Sequence, residues 1–466
     1  MAISDIIIIG GGAAGLMAAA GAAGIFAAGG QDRTVTVLEK MPRPGRKIMI
    51  TGKGRCNITN TRQWNEFSEH IHPKAGPLKH AFYNLSTAAT IEFFNSHGLE
   101  TVTERGERVF PASHNAADVT DTLVKAATDA GAHIETGCEV SGISLIDPDG
   151  NATGDIADTG DPDAVRFRIT CRNGKEFLCR RLVIATGGLS YPGTGSTGDG
   201  YGWARQFRHN VRTCFPSLTA IVPEGYKDMS GAGQADSGSG LKGHIDRSVP
   251  LSETGSLLNG NQLKNVSLAL DIDGACVQEE FGDMDFTDGG IEGSIGFKVS
   301  RRCVNAVMNG SKVSISIDLK PAVSADALDK RIRSLWQEIA ADRRSIGKSY
   351  NDRFRVLLGK LLPASLVQGF RRCNQGIDHK TLAARLKNWK MNIRGFVGYE
   401  RCVITAGGIS TDEINARKME SKLCPGLYFA GEIIDLDGDT GGYNLQTAFS
   451  TGMLAGQSAA RSLILP

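Results

Sequence analysis

The first forty residues constrain the fold of this chain more than any other stretch. Asp5 to Ile9 contains four consecutive isoleucines, as expected of a buried parallel strand. Three glycines with Gly-x-Gly-x-x-Gly spacing follow it directly: Gly10, Gly12 and Gly15. An Ala-rich helical stretch then continues to about Ala28, and Thr34 to Leu38 predicts a second strand that ends at Glu39. Strand, glycines, helix, strand and terminal acid in this order indicate a dinucleotide-binding βαβ unit.

Each part of this unit has a predicted role in holding a nucleotide. Gly10 allows the tight turn, Gly12 lets the backbone approach a pyrophosphate, and Gly15 lets helix and strand pack closely. The helix N-terminus offers unpaired N–H groups to the phosphates. Glu39 would accept hydrogen bonds from the adenosine ribose; its spacing from the glycines is long, and we assign the excess to a loop at 28–33. The predicted contacts are Gly10, Gly12, Ala13, Ala14, Gly15 and Glu39.

Composition narrows the class of protein. The chain has 466 residues, enough for roughly three domains. Lys and Arg number 52 and Asp and Glu 50, a balance that does not predict nucleic acid or a membrane as the main partner. The ten cysteines include no Cys-x-x-Cys, which favours reduced thiols over a metal site or a redox dithiol. The N-terminus lacks a basic signal region and no apolar run is long enough to span a bilayer, so we expect a cytoplasmic protein.

A second motif lies in the loop at 45–60, which reads Gly-Arg-Lys and then Thr-Gly-Lys-Gly-Arg-Cys-Asn-Ile-Thr-Asn. Such a loop could donate hydrogen bonds along a long cofactor, or it could be a solvated basic loop. The run resembles the Gly-Arg-Lys…Ser-Gly-x-Gly-Arg-Cys-Asn-x-Thr-Asn signature of the HI0933-like flavoproteins. That family of NAD(P)/FAD-dependent oxidoreductases includes bile-acid Δ4,6-reductases and aminoacetone oxidases. The resemblance implies FAD as cofactor, with these residues towards the flavin: Lys40, Arg46, Lys47, Thr51, Gly52, Arg55, Cys56 and Asn57.

Two further segments carry the same resemblance. Leu182 to Ala185 predicts a buried strand that ends in Thr-Gly-Gly, and 428–446 contains Tyr-Phe-Ala-Gly-Glu and Gly-Gly-Tyr-Asn-Leu-Gln before a small-residue helix to about Ser462. Glycines before a helix place N–H donors where a reduced flavin becomes anionic. A formal Gly-x-Gly-x-x-Gly at 193–198 lacks its own strand and acid, so we reject it as an NAD site. The resemblance adds these residues: Val140, Ala185, Thr186, Gly187, Gly188, Gly431, Glu432, Asp435, Gly442, Asn444, Leu445 and Gln446.

The motifs at both ends of the chain predict a discontinuous domain. We expect an α/β fold, a two-dinucleotide-binding (Rossmann-like) FAD domain with an inserted antiparallel β domain and a helical lobe. Short alternating runs at 211–223, 263–272 and 313–319 predict the strands of a barrel or sandwich in the insertion. The expected boundaries are 1–207 and 404–466 for the FAD domain, 208–320 and 387–403 for the β domain, and 321–386 for the lobe.

Other segments complete the expectation. Ala116 to Gly131 predicts an amphipathic helix, and Ile134 to Ile146 with Val165 to Cys171 predicts a β-hairpin. The Gly/Ser-rich run at 231–240 is typical of a mobile loop. In the lobe, an apolar stripe is flanked by arginines that we expect on a solvated face, with an anionic-substrate or nucleic-acid patch as the alternative. The stripe is Leu328, Ile332, Leu335 and Ile339, and the arginines are Arg331, Arg333, Arg343 and Arg344.

The expected reaction is hydride transfer between flavin N5 and a small or hydrophobic organic substrate, with NAD(P)H as a transient reductant. We assign no catalytic residue, although Tyr191 or Tyr443 could deliver a proton. The chain departs from the family pattern at 286–294, where Asp288 and Glu292 add two carboxylates. An amine-type oxidase that uses dioxygen stays open, as does a flavin-bearing nucleic-acid-binding protein that uses the arginines of the lobe. Substrate identity and oligomeric state stay open as well.

Overall fold

The computed structural model describes residues 3–147, 151–153, 164–230 and 241–464 and divides into two compact units. The first joins the chain up to Cys214 with the chain from Ile404 onward, and the second is Phe215–Val403. Sequence analysis had placed the two boundaries after residues 207 and 403. The run at 231–240, expected to be a mobile loop, lies outside the described residues.

Within the described residues the secondary structure is as follows. The strands are β1 (Ile3–Ile9), β2 (Val35–Glu39), β3 (Thr59–Asn60), β4 (Ile71–His72), β5 (Thr101–Glu104), β6 (Arg108–Pro111), β7 (Ala132–Thr136), β8 (Val140–Ile146), β9 (Ala152–Thr153), β10 (Phe167–Cys171), β11 (Glu176–Ile184), β12 (Val211–Ser217), β13 (Ile221–Pro223), β14 (Gln262–Ile272), β15 (Ala275–Thr287), β16 (Gly290–Glu292), β17 (Val313–Asp318), β18 (Trp389–Phe396), β19 (Ile404–Ile409), β20 (Ile414–Asn415), β21 (Glu420–Ser421), β22 (Leu427–Phe429) and β23 (Asp437–Gly438). The helices are α1 (Ala13–Ala28), α2 (Arg46–Ile50), α3 (Trp64–Phe67), α4 (Lys79–Asn84), α5 (Thr87–Ser96), α6 (Ala116–Asp129), α7 (Asp199–Gln206), α8 (Glu253–Leu258), α9 (Gly293–Met308), α10 (Ala325–Ala341), α11 (Tyr350–Leu361), α12 (Leu366–Cys373), α13 (Leu382–Lys387) and α14 (Tyr443–Ile464).

A parallel sheet forms the centre of the first unit. Its strand order is β22-β11-β1-β2-β7, with β21 and β20 continuing beyond β22 and β10, β8 and β9 attached through β11. Ile7 of β1 lies opposite Leu182 of β11 on one side and Thr36 of β2 on the other. The four consecutive isoleucines of β1, Ile6 to Ile9, are buried because helices cover both faces of such a sheet. The Rossmann-like α/β fold expected from the N-terminal motif is thus confirmed.

One expectation for this sheet is wrong. Ile134 to Ile146 was expected as one arm of a hairpin, but the chain turns at Gly137, where φ is +67°. The residues before the turn form β7, which pairs in parallel with β2, and those after it form β8, which pairs antiparallel with β10. A left-handed glycine divides one apolar run into two strands with different partners. Only β8 and β10 keep the expected antiparallel pairing.

The two ends of the chain meet where α14 packs on α1. A Cβ built at Gly452 would lie 2.3 Å from the carbonyl oxygen of Ala14, and one at Gly456 only 2.0 Å from that of Ala18. Facing residues on α1 are mostly alanine, so the two backbones approach closely. The C-terminal helix is therefore fixed against the first helix, and the two halves of the first unit form one structure.

The second unit contains a closed antiparallel barrel, with strand order β13-β16-β15-β14-β17-β18. The expected barrel or sandwich is therefore a barrel. Sequence analysis placed no strand over β15, whose 275–287 run is rich in charged residues, and no helix over α9. The lobe of α10 to α13 is helical as expected, and the four residues of its apolar stripe are all buried. In the part of the chain that the structure describes, no helix is long and apolar enough to cross a membrane.

The α1–α14 contact gives a matched stability test. We expect Gly456→Ala to lower the free energy of unfolding by about 2 kcal/mol, because its new methyl group would overlap the Ala18 carbonyl. The control is Gly24→Ala in α1, where a Cβ would have no described heavy atom within 4 Å. There alanine should raise stability by about 0.5 kcal/mol through its higher helix propensity. Urea unfolding of both variants measures this, and equal effects would contradict the packing argument.

Candidate cofactor site

The N-terminus of α1 is open to an anionic ligand. Gly12 is its N-cap, no described side chain caps it, and its first turn contains no acidic residue. A Cβ built at Gly12 would have no described heavy atom within 4 Å, so there is free space beside this backbone. Uncapped N–H groups and the helix dipole together favour a phosphate at such a place.

The other two glycines of the motif are there for packing. A Cβ at Gly15 would lie 1.8 Å from the carbonyl oxygen of Gly10, and one at Gly10 would lie 2.5 Å from that of Ala185. Gly10 also has φ of +103°, and its N–H donates to the Leu38 carbonyl at 2.9 Å. The turn between β1 and α1 is thus tightly held, while Gly12 alone faces free space.

Glu39 lies at the end of β2 beside this turn. Its side chain is buried and accepts hydrogen bonds from the N–H groups of Gly11 and Met41, both at 2.7 Å. Burial raises the pKa of this carboxyl, and the two backbone donors oppose the rise. The Glu39 carbonyl accepts from Cys138 N–H at 2.9 Å, two residues before Val140. The acid expected at the ribose and the strand expected near the adenine are therefore neighbours.

Glu432 joins three distant segments in one hydrogen-bonded network. Its carboxylate accepts from Lys47 Nζ and from Ser190 Oγ, each at 2.5 Å, and from the N–H of Thr405 at 2.8 Å. Lys47 also donates to Ser190. The Thr405 hydroxyl accepts from the N–H groups of Leu189 and Ser190 at 2.8 and 3.1 Å. Lys47 and Glu432, both expected near the flavin, are thus an ion pair that ties the loop after β2 to the loops after β11 and β22.

The loop at 45–60 and the C-terminal glycines are also in direct contact. The Asn57 amide, in the orientation that satisfies its neighbours, accepts from Gly442 N–H at 2.9 Å and donates to Thr59 O at 2.8 Å. Thr59 Oγ1 donates to Gln446 Oε1 at 2.6 Å. A Cβ at Gly442 would lie 2.5 Å from the Thr59 backbone, so this turn needs glycine. Gly431 likewise lies against Ala14, since its Cβ would be 2.7 Å from that methyl group.

Several expected residues have side chains that are occupied elsewhere. Arg55 pairs with Glu104 and lies 4.4 Å from the ring of Phe110, and Lys40 pairs with Asp199 at 2.7 Å. The side chains of five other expected residues form local hydrogen bonds, are buried or are exposed. Thr51 donates to Ile48, Cys56 is a buried thiol whose pKa burial raises to about 12, Asn444 bonds the backbone of Gly438, Gln446 is fully buried, and Arg46 is exposed.

Thr186 is the exception among the buried polar groups of the motifs. Its hydroxyl, in the Ala-Thr-Gly-Gly loop after β11, is buried without a hydrogen-bond partner among the described residues. Gly187, which follows it, has φ of +74°. A buried hydroxyl without a partner is consistent with a ligand that supplies one.

A cluster that sequence analysis did not assign lies beside the Gly441-Gly442 turn. Asp439 accepts from His70 Nδ1 at 2.8 Å and from His72 Nε2 at 3.2 Å, and β4 pairs with β23 directly beside it. The Tyr443 ring stacks on His70 with centroids 4.6 Å apart. Burial by itself would raise the pKa of Asp439, but the hydrogen bonds from His70 and His72 hold it at about 2. The sequence separation of these groups hides the cluster from pattern analysis.

Together these features fit a long dinucleotide. An open helix end beside Gly12, a fixed acid at Glu39, an unpartnered Thr186 hydroxyl and a second glycine turn at Gly442 all belong to the first unit. A sequence model described as the HI0933-like protein Rossmann domain matches residues 4–458.

The chain belongs to the HI0933-like family.

This HI0933-like protein is therefore an enzyme of an FAD-dependent oxidoreductase family, and FAD is the cofactor that fits the site. It is 28% identical to a 3-dehydro-bile acid Δ(4,6)-reductase of Clostridium scindens over 460 residues, which cover 97% of this chain and 98% of the relative. It is 29% identical to a ribosomal RNA dihydrouridine synthase of Escherichia coli over 98% of this chain and 99% of the relative. An enzyme of the same name from Haemophilus influenzae is 28% identical over similar shares, 98% and 99%.

The glycine motif gives a test that separates cofactor binding from folding. Gly12→Val should weaken FAD binding at least ~10-fold, because its side chain would occupy the space that the pyrophosphate needs. The unfolding free energy of the cofactor-free protein should change by less than about 0.5 kcal/mol. Gly15→Ala, the matched variant, should instead destabilise the cofactor-free protein by about 2 kcal/mol through overlap with Gly10. Flavin fluorescence titration and urea unfolding measure both, and the reverse pattern would refute the assignment.

The Asp439 cluster gives a prediction for pH. Because its folded-state pKa is about 2 against 3.8 ordinarily, ionised Asp439 should stabilise the protein by about 2 kcal/mol above pH 5. That contribution is full above the unfolded-state pKa and is lost as the pH falls through about 2. The difference in unfolding free energy between the native chain and Asp439→Asn should therefore shrink to about half at pH 3. A difference that stays constant from pH 6 to pH 3 would argue against the pairing.

Proposed function

We propose that this HI0933-like protein saturates a carbon–carbon double bond that is conjugated with a carbonyl group, using FAD that NAD(P)H reduces. The names of its relatives support this class of reaction. A Δ(4,6)-reductase of a 3-dehydro bile acid acts on double bonds conjugated with a 3-oxo group, and a dihydrouridine synthase saturates a uracil double bond conjugated with a carbonyl. The two substrates differ in size and polarity and share this bond arrangement.

The chain's own residues would hold the cofactor as follows. The uncapped end of α1 and the space at Gly12 receive the pyrophosphate, and Glu39 lies where the ribose hydroxyls would be bound. The Lys47–Glu432 pair and Thr186 lie along the loops expected near the flavin. When bound, FAD supplies hydride transfer at N5.

The start of α14 is suited to stabilising negative charge at the flavin. Its first turn, from Tyr443, contains no acidic residue, and the preceding Gly441 and Gly442 have φ of +127° and +88°. This backbone brings N–H groups and the positive end of the dipole of a 22-residue helix to one place. Such donors favour a reduced cofactor more than an oxidised one.

Saturation of a double bond also requires a proton, and Tyr443 is the candidate donor. Burial raises the pKa of its phenol to about 12, so the group is neutral at working pH. It stacks on His70, whose imidazole bonds Asp439, so a histidine–carboxylate pair adjoins the phenol. A neutral phenol within hydrogen-bond reach of the substrate can donate a proton, and the stacking on His70 fixes the position of this ring.

The names of the relatives favour reduction over the oxidation of an amine by dioxygen, which the sequence had left open. The relatives named above are a reductase and two dihydrouridine synthases, all of which reduce their substrates. The reductase assignment therefore rests on the shared chemistry of those names together with a site that fits FAD.

The decisive experiment is anaerobic and spectroscopic. Purified protein should show an oxidised flavin spectrum that NADH or NADPH bleaches. A 3-oxo-4,6-diene bile acid or an unmodified ribosomal RNA transcript should then restore the spectrum without dioxygen, whereas the corresponding saturated compounds should not. Gly12→Val, loaded with the same FAD concentration, is the matched control for a bound cofactor. Restoration of the spectrum by dioxygen only, with hydrogen peroxide formed, would favour the oxidase instead.

In the same assay, Tyr443→Phe should separate the two half-reactions. Reduction by NAD(P)H should be unchanged within about 2-fold, because it does not use this proton. Saturation of the double bond should slow by ~10²-fold, the usual contribution of a positioned acid. Equal slowing of both half-reactions would show that Tyr443 only shapes the flavin site.

A further inference from the structure

Positive charge in this protein is concentrated in the helical lobe, defined as Ala325–Lys387, the span of α10 to α13. This span contains 14 Lys and Arg against six Asp and Glu, a net charge of +8, whereas the whole chain carries +2. All other residues together are therefore net acidic. The near-zero net charge of the whole chain led us to expect no nucleic-acid partner. That sum conceals a strongly basic helical lobe, because the rest of the chain is acidic.

Most of this charge is not neutralised within the protein. Five of the 14 cations are paired, such as Arg333 with Asp329 at 2.7 Å and Arg344 with Asp342 at 2.9 Å. The other nine make no ion pair with any residue that the structure describes, and seven of those nine are exposed. Arg343, Arg355 and Lys360 are examples on the segment from the end of α10 to the end of α11. Unpaired surface cations at this density are costly to hold together by mutual repulsion unless an anion binds them.

A partly exposed ring cluster lies among these cations. Trp336 and His379 stack in parallel with centroids 4.5 Å apart, and Tyr350 lies 5.1 Å from Trp336 and is 40% exposed. The Tyr350 hydroxyl is 3.0 Å from His379 Nδ1, and the Arg353 guanidinium lies 5.9 Å from the Trp336 ring. Aromatic rings interleaved with arginines provide stacking for bases beside contacts for phosphates.

The residue types on this surface favour a nucleic acid over an anionic membrane as the partner. Nine of the 14 cations are arginine, which binds phosphate with two parallel N–H donors. A membrane-binding surface would need a row of large apolar side chains, but the apolar stripe of α10 is buried in the lobe. Among the large apolar residues of the lobe, Ile346 stands out at 80% exposed, with Tyr350 and Val356 near 40%. The surface therefore fits a nucleic acid better than a lipid headgroup.

We propose that the helical lobe is an RNA-docking surface, formed by the unpaired cations from the start of α10 to the end of α11 and by the Trp336–Tyr350–His379 ring cluster. The proposal rests on the proposed function and narrows it, since a uracil in RNA has the required double bond conjugated with a carbonyl. The lobe binds the phosphate backbone and a stacked base, and the FAD domain supplies the reducing site.

The test uses the full-length, FAD-loaded protein and a fluorescein-labelled ribosomal RNA hairpin with unmodified uridines. Arg343→Glu combined with Arg355→Glu should weaken binding at least ~10-fold at physiological salt and lower the salt slope by about two phosphate contacts. The control is Arg417→Glu combined with Lys418→Glu, an equal charge change at two exposed cations of the first unit, which should weaken binding less than ~2-fold. Tyr350→Ala should weaken binding at least ~5-fold while leaving the salt slope unchanged, because it removes stacking and no charge.

The possible outcomes are distinct. RNA binding that vanishes at physiological salt, or that both double variants retain, overturns the proposal, as does binding of anionic phosphatidylserine vesicles in place of RNA. Flavin content and urea unfolding of each variant should match the native chain, which excludes loss of fold. If RNA binds through the lobe but no conjugated double bond reoxidises the flavin, the docking surface stands and the proposed function falls. If only the bile-acid diene reoxidises the flavin and RNA does not bind, the proposed function stands and the docking surface falls.

Discussion

The close approach of α1 and α14 is the contact on which the cofactor site depends. Gly452 and Gly456 lie so close to the carbonyl oxygens of Ala14 and Ala18 that a Cβ atom at either glycine would overlap them. Because α14 starts at the second glycine turn and α1 starts at the first, this packing fixes both helix ends in one domain. A chain whose insertion spans nearly two hundred residues can therefore build one nucleotide site from its two ends. The energy of that arrangement comes from close backbone contact and buried alanine.

Near the starts of α1 and α14, the carboxylates of Glu432 and Asp439 have bonding partners, and the helix ends stay open. The charge of Glu432 is offset by Lys47, and the Asp439 carboxylate is held by hydrogen bonds from His70 and His72. The helix ends themselves have no acidic first turn. Bonded carboxylates of this kind orient the loops that carry them at modest cost. The two helix N-termini thus keep the positive potential of their backbone, which suits the proposed dinucleotide.

The parts of the site that sequence alone predicts are those coded by neighbouring residues. Gly10, Gly12, Gly15 and Glu39 follow from a local pattern, because a tight turn, an open helix end and a strand-terminal acid each leave a mark within forty residues. The hydrogen-bond partners of Glu432 do not follow from a local pattern. Thr405 and Ser190 are more than two hundred residues apart, and neither threonine nor serine is diagnostic of such a site. The break at Gly137 was missed because both sides of it have strand-like residues, and only pairing decides that they belong to different neighbours.

The segment at 286–294, which departs from the family pattern, also has a different interpretation once the spatial partners of its residues are known. Sequence analysis found two added carboxylates there, Asp288 and Glu292. In the barrel both bind one guanidinium: Arg401 donates to each carboxylate at 2.6 Å. Burial by itself would raise the pKa of Asp288. The hydrogen bond and the charge of Arg401 outweigh burial and lower that pKa, so the Asp288 carboxylate stays ionised and paired with Arg401. The departure from the family pattern therefore adds an ion-paired clamp, in which one guanidinium offsets one of the two added negative charges. The strongest positive charge of the second unit stays with the basic lobe, so an anionic partner is attracted there and not to the barrel.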